Sequence, residues 1–233
     1  MAGISVIIPT YNEKKNITRL IPRIASILNG HDYELIVVDD SSSDGTAEAA
    51  RELVKDYPVK VLVRLGKLGL SSAVVEGFKA SIGDVIGVID ADLQHPPEHI
   101  KQFLMAVSGG SDIVIGSRYV DGRKIEDWNW FRSIVSKGAI TVSSPLTDVK
   151  DPTSGYFFLK RSVIENISFN PHGFKILLEI LVKGKYNNVK EIPIAFKARE
   201  EGESKLGIGE YVSYLRLLYS LYGFRIKVAL NGR

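Results

Sequence analysis

The chain has 233 residues, 45% of them hydrophobic and 24% charged, with a formal net charge of +3 and no cysteine. That length and balance suit one large folded domain, or a domain with an appendage, and the small net charge gives no footprint for a nucleic-acid partner. The missing thiols exclude disulfides and thiolate chemistry, and no run approaches the ~20 apolar residues of a membrane span.

The first half alternates between two patterns. Short β-branched runs fall at Ile4–Ile8, Leu35–Val38, Val59–Val63, Val85–Ile89 and Ile113–Ile115. Segments with helical spacing lie between them, at Ile17–Leu28, Thr46–Tyr57, Leu70–Ser81 and Pro97–Val107, with Asp44 placed to cap the second. Near-continuous apolar strands separated by helices predict an α/β fold with a mostly parallel central sheet covered on both faces. Ligands of such sheets sit beyond the carboxyl ends of the strands. The polar residues that follow each run are therefore the candidates: Pro9 to Glu13, Asp39-Asp40, Asp90 with Asp92 and Gln94, and Ser117-Arg118.

The second half reads differently. Residues 119–150 mix aromatic and basic side chains, with a helix expected from about Asn129 to Val142. "DPTSGYFFLK" (151–160) reads as a turn into a strand, Phe174–Gly184 as a helix and Val189–Phe196 as a strand. "AREEGESKLG" (198–207) reads as a loop. The tail carries a wide apolar stripe, Tyr211, Tyr214, Leu215, Leu218, Tyr219 and Tyr222, with Arg216, Arg225 and Lys227 beside it. Residues 1–208 thus read as the body and 209–233 as an amphipathic helical segment.

Asp92 and the amide oxygen of Gln94 fit a hard divalent cation, which takes oxygen ligands and commonly shares them with substrate phosphates. An isolated Asp-X-Asp is equally a helix cap; the position at a strand end, beside other acidic strand ends, favours the metal. Asp39-Asp40 carries two readings, hydrogen bonding to a base or ribose and a solvated turn with a cap. "GKLGLSSA" (66–73) lacks the Gly-Lys-Ser/Thr of a Walker A loop, and no G-X-G-X-X-G follows the first strand, which counts against a P-loop NTPase and a dinucleotide oxidoreductase. Gly66 and Gly69 are expected to turn the chain before a helix. His95 and His99 lack a metal-binding pattern around them and are taken as incidental. Arg118 and Arg132 are suited to a second phosphate, or else snorkel on an amphipathic surface.

Taken in order, "VIIPTYNE", "IVVDDSSSDGT", "GLSSAVVEGF", "DADLQHPPE", "IGSRY", "DPTSGYF", "GFKILLEIL" and "GESKL" resemble the family 2 glycosyltransferases of the GT-A fold, and among them the dolichol-phosphate mannose synthases. The resemblance runs from about residue 4 to residue 206. It implies a GT-A, Rossmann-like nucleotide-sugar-binding domain and transfer of mannose from GDP-mannose to dolichyl or polyprenyl phosphate with inversion. It also implies that Pro9, Tyr11, Glu13, Val38 and Asp40 hold the nucleoside, and that Asp90 and Ala91 lie along the nucleotide and sugar. Asp92 and Gln94 become the ligands of Mg2+ or Mn2+. Lys175, Arg199 and Lys205 close over the donor diphosphate, and Arg118, Arg132 and Ser136 hold the acceptor phosphate. The implied setting is peripheral, on the cytoplasmic face of a membrane, with a homo-oligomer or a separate membrane anchor left open. Neighbouring readings are a polyprenyl-phosphate glucosyltransferase using UDP-glucose and a saccharide-directed family 2 enzyme. The latter needs a base near the acceptor hydroxyl, and no clear candidate follows "IGSRY".

Overall fold

The structure is a computed structural model that describes residues 3–120, 142–170, 175–195 and 208–231. The helix expected at 129–142 and the "GESKL" loop lie outside them, apart from Val142. In chain order the elements are β1 (Ile4–Thr10), α1 (Lys14–Leu28), β2 (Tyr33–Asp39), α2 (Thr46–Glu52), β3 (Val59–Val63), α3 (Leu70–Ala80) and β4 (Val85–Val88). They continue with α4 (Ile100–Ser108), β5 (Ile113–Ser117), β6 (Phe157–Lys160), α5 (Ile176–Lys183), β7 (Val189–Pro193) and α6 (Ile208–Asn231).

The strands form one seven-stranded sheet in the order β3-β2-β1-β4-β6-β5-β7. Side chains alternate between its faces, as the strand period requires. Val6, Ile8, Leu35 and Val37 pack with α1, α2 and α4 on one side. Ile7, Ile36 and Val38 pack with α3 and α5 on the other. Burial on both faces is why these runs are continuously apolar. Gly87 lets β4 lie under Phe158 of β6, since a Cβ there would sit 2.3 Å from the Phe158 ring.

Direction is what places the functional residues. β1, β2, β3 and β4 are mutually parallel, and Thr10 of β1 is level with Asp39 of β2. β6 is antiparallel to both β4 and β5, and β5 is parallel to β7. Hence β5 ends at the same sheet edge as β4, and the segment 151–156 that feeds β6 begins at that edge too.

The helix α6 packs back on the body rather than standing apart. Tyr214, Leu217, Leu218 and Leu221 bury against Leu146, Leu178 and Val182. The stripe read from the tail is thus divided: Tyr214 and Leu218 face the body, while Leu215 and Tyr219 are exposed. Tyr222 is partly buried and donates to the Val142 carbonyl at 2.6 Å.

Candidate active site

The loops after β1 and β2 are knitted together. Asp39 is fully buried and accepts from the Thr10 and Ser42 hydroxyls at 2.9 and 2.6 Å and from the Ser42 N–H at 2.9 Å. Asn12 Oδ1 accepts from the Ser43 N–H at 3.0 Å, and its own N–H donates to Ser42. The N-cap of α2 is Gly45, in a left-handed conformation, rather than Asp44; Asp44 stands one residue further out, where it accepts the Thr46 N–H and the Lys14 N–H, each at 3.0 Å. Of the expected nucleoside residues, Pro9 and Val38 are cross-strand partners inside the sheet, and the Val38 side chain belongs to the core. Val38 can therefore meet a nucleoside only through its backbone. Tyr11 lies at the rim with Lys67 Nζ 4.4 Å from its ring centre. Glu13 Oε2 accepts from Asn16 Nδ2 at 2.7 Å at the start of α1.

The solvated-turn reading of Asp39-Asp40 does not hold, since both carboxylates are buried and bonded within the chain. Asp40 pairs with Arg64 Nη1 at 2.6 Å and accepts the Gly69 N–H at 2.7 Å. Arg64 is itself buried and reaches Ser72 and the Gly69 carbonyl. This pair holds the loop before α3, where Gly66 and Gly69 take φ of 99° and 95°. Arg64 sits one residue beyond an apolar run with nothing local to mark it; only its partner, 24 positions away, gives it meaning.

Beyond β4 the chain turns sharply through "DADLQH". Among the described residues three non-glycine positions have left-handed φ, Asn12, Ser41 and Leu93, at 54°, 60° and 60°. They lie in the loops after β1, β2 and β4, and Leu93 stands between the two expected metal ligands. An aliphatic residue there is strained by about 1–3 kcal/mol and persists only where its surroundings dictate it, as functional loops do. Asp92 is 7% exposed and accepts the Gln94 N–H at 3.2 Å. Asp90 is more open, with 26% of its side chain accessible, yet its Oδ1 is buried with no hydrogen-bond partner among the described residues. His95, taken as incidental from sequence, is buried with Nε2 3.6 Å from Asp90 Oδ2 and its ring 5.3 Å from that of Tyr156. It helps wall the Asp90 carboxylate.

Arg118 follows β5 and is gripped by Asp151. Nε and Nη2 donate to the two Asp151 oxygens at 2.8 and 2.7 Å, and the Arg118 N–H donates at 3.0 Å. Nη2 also donates to Thr153 Oγ1 at 3.1 Å. Burial works against both charges, but each outweighs it for the other, so Arg118 is held above its ordinary pKa and Asp151 below its own. Lys175, at the start of α5, donates to the Thr153 carbonyl at 3.0 Å. Burial, with Arg118 as a lesser cause, lowers its pKa to about 7. Asp151 and Thr153 lie in "DPTSG", 33 and 35 positions from Arg118, too far for local pattern to connect them.

The sheet edge therefore brings Asp90, Asp92, Gln94, Arg118 and Lys175 to one side of the molecule. Arg132, Ser136, Arg199 and Lys205 lie outside the described residues. Among the described residues no group of three or more His, Asp or Glu stands ready to hold a metal alone. Asp92 and Gln94 offer two oxygens, the donor set of a hard cation that completes its shell with phosphate and water. Among the described residues the chain also leaves one buried Asp90 oxygen unsatisfied, an acceptor held in reserve next to them in sequence.

Comparison with known proteins accords with this architecture. A solved structure of Mycobacterium tuberculosis glucosyl-3-phosphoglycerate synthase, in complex with Mn2+, UDP-glucose and phosphoglyceric acid, superposes with a TM-score of 0.72, covering 95% of this chain and 80% of that one. At 20% identity the likeness is one of fold. The chain is 53% identical to a dolichol-phosphate mannosyltransferase of Pyrococcus furiosus over 94% of its own length and 63% of that protein's. Proteins of the same name from Mycosarcoma maydis and Saccharomyces cerevisiae are 39% and 38% identical over 95% of this chain and over 79% and 87% of their own lengths. The model of glycosyl transferase family 2 matches residues 5–177, from the first strand to the helix behind Lys175, and the chain belongs to that family.

Proposed function

We propose that this protein transfers mannose from GDP-mannose to dolichyl, or another polyprenyl, phosphate with inversion at the anomeric carbon. The observation that carries the reading is 53% identity, across 94% of the chain, to a relative named dolichol-phosphate mannosyltransferase.

The chemistry of the sheet edge supports it. A phosphate monoester has a second pKa near ~6 and is already an anionic nucleophile at neutral pH, so no general base is required. What remains is positioning and charge management. Pro9, Tyr11, Glu13, Val38 and Asp40 frame the nucleoside end, with Asp40 acting through Arg64 and the loop before α3. Asp90 and Ala91 lie along the nucleotide and sugar. Asp92 and Gln94 hold a divalent metal, Mg2+ or Mn2+, which when bound supplies Lewis-acid neutralisation of the departing diphosphate. Lys175, with Arg199 and Lys205, faces the donor diphosphate. Arg118, with Arg132 and Ser136, faces the acceptor phosphate. Residues 1–208 constitute the catalytic body, and α6 docks it peripherally on a membrane surface, on the cytoplasmic side where nucleotide sugars are at hand. Among the described residues no helix is long and apolar enough to cross a membrane.

The test is a donor panel of radiolabelled GDP-mannose, UDP-glucose and UDP-N-acetylglucosamine against a short polyprenyl phosphate, with and without metal. GDP-mannose is expected to be the donor used, with turnover abolished by chelation. Preference for a uridine donor replaces the mannosyl reading with the glucosyl one. In the same assay Asp92→Ala is expected to lose transfer by on the order of a hundredfold or more. Near-full activity in that variant removes Asp92 from the metal site.

A further inference from the structure

The segment Asp151–Gly155 touches three of the residues assigned to substrates, and it does so from a single short loop. Asp151 grips Arg118 through both of its carboxylate oxygens. Thr153 serves two cations at once: its hydroxyl accepts from Arg118 Nη2 at 3.1 Å and its carbonyl accepts from Lys175 Nζ at 3.0 Å. Gly155 passes so close to Asp90 that a Cβ would lie 2.3 Å from Oδ2. The loop is itself held rigidly. The Lys150 and Asp151 N–H groups donate to Glu191 of β7 at 2.9 and 3.0 Å, and Ser154 Oγ donates to the Gly116 carbonyl of β5 at 2.8 Å.

We propose that this strap is the element that sets donor-side and acceptor-side groups at a fixed separation, and that Asp151, assisted by Thr153, positions Arg118 for the acceptor phosphate. The inference rests on the acceptor role given to Arg118 above. A guanidinium is a planar fork, and a carboxylate on its Nε–Nη2 edge fixes its plane. Asp151 and Thr153 thereby engage the Nε and Nη2 donors, so the loop sets the plane in which the guanidinium meets a phosphate. Without that grip the side chain has several rotatable bonds, and the phosphate meets a swinging cation rather than an aimed one. Asp151 touches no substrate in this scheme; it acts through Arg118, and its effect must appear in acceptor use and vanish when Arg118 is already gone.

The experiment compares Asp151→Asn, Thr153→Val, Arg118→Gln and the Asp151→Asn/Arg118→Gln double variant of the full chain. Kinetics are measured separately for GDP-mannose and a short polyprenyl phosphate, with thermal unfolding as the check on folding. Asp151→Asn is expected to raise the acceptor KM by about tenfold while the donor KM stays within about twofold. The double variant is expected to be no worse than Arg118→Gln alone. An unchanged acceptor KM, equal losses for donor and acceptor, or fully additive losses in the double variant overturn the proposal. If Asp151→Asn does not fold, Thr153→Val decides, since it keeps the shape and removes one bond to Nη2: a selective rise in acceptor KM of about threefold supports the proposal and an unchanged value overturns it. Failure of the wild type to transfer mannose to lipid phosphate overturns the functional reading, and the acceptor role of Asp151 with it, a result visible without any variant.

Discussion

Asp90 and Gly155 are in such close contact that the smallest possible side chain becomes a probe of the site. A methyl at 155 would lie 2.3 Å from Asp90 Oδ2 and 2.9 Å from its Cγ, and the carboxylate is the part free to move away. Gly155→Ala is therefore expected to leave the thermal midpoint within a few degrees and to lower kcat by about tenfold or more, because a carboxylate displaced by an ångström would no longer meet the sugar proposed to lie along it. An unchanged kcat removes Asp90 from contact with the reacting group. Lys175 gives a second handle. Its pKa is lowered to about 7, chiefly by burial, so above neutrality it is largely uncharged in the folded protein while still charged when unfolded. Stability from this group accordingly rises with pH between about 7 and the ordinary lysine value near 10.5. The donor diphosphate proposed to lie beside it would restore the charge, so GDP binding near pH 8 is expected to take up protons. Calorimetry in two buffers of different ionisation enthalpy reads that uptake, and Lys175→Met is expected to abolish it; equal uptake in the variant places the proton elsewhere. At this scale the sequence was a partial guide. Asp90, Asp92, Gln94 and Arg118 were legible because each follows an apolar run. Asp151, Arg64 and His95 were not, because their meaning lies in partners brought near by the fold.

Among the elements, the least legible feature was β6. Its residues read plainly as a strand, but apolar periodicity carries no direction, and the antiparallel insertion between β4 and β5 rests on long-range pairing alone. That reversal is what delivers Asp151–Gly155 to the sheet edge. The opposite end of the same strands is secured by Asp112, just before β5. Its carboxylate accepts from Lys160 Nζ of β6 at 2.8 Å and from the N–H groups of Asn187 and Asn188, which lead into β7, at 2.9 and 3.1 Å. The Lys160 hydrogen bond, followed by those backbone donors, lowers its pKa to about 2. A depressed carboxylate stabilises the fold above its unfolded value near 4, and that contribution fades as pH falls toward 2. Asp112→Ala is expected to cost about 1–2 kcal/mol at neutral pH, since solvent reaches Lys160 and tempers the pair. The difference from wild type should shrink below pH 4 in denaturant titrations; a pH-independent difference shows that the carboxylate charge is not its source.

For the molecule as a whole the question is how a folded body would meet the lipid acceptor proposed for it, and α6 gives the geometry. The helix has two apolar faces, which the sequence showed as one wide stripe. One is buried on the body through Tyr214, Leu217, Leu218 and Leu221. The other is open: Leu215, Tyr219, Ile226 and Leu230 are 62%, 85%, 59% and 67% exposed. At 3.6 residues per turn these four fall within roughly 60° of arc, a single seam. Arg216 and Lys227 lie beside that seam and are exposed, whereas Arg225 is engaged with the Leu146 carbonyl at 2.9 Å. An apolar seam with flanking cations is the pattern of a helix lying in an anionic lipid surface. Deleting the helix would uncover Leu146, Leu178 and Val182, so truncation would confuse anchoring with folding. Substitution on the outer seam avoids this. Leu215→Ser together with Tyr219→Ser is expected to leave the thermal midpoint unchanged and to reduce co-flotation with phosphatidylserine-containing vesicles several-fold, given roughly 1.5–3 kcal/mol for each large apolar side chain buried. The same variant should keep wild-type turnover with a short, water-soluble polyprenyl phosphate and lose it only when the acceptor is embedded in vesicles. Equal flotation of the two proteins would assign the seam to another partner, and equal loss with both acceptors would place it at the active site.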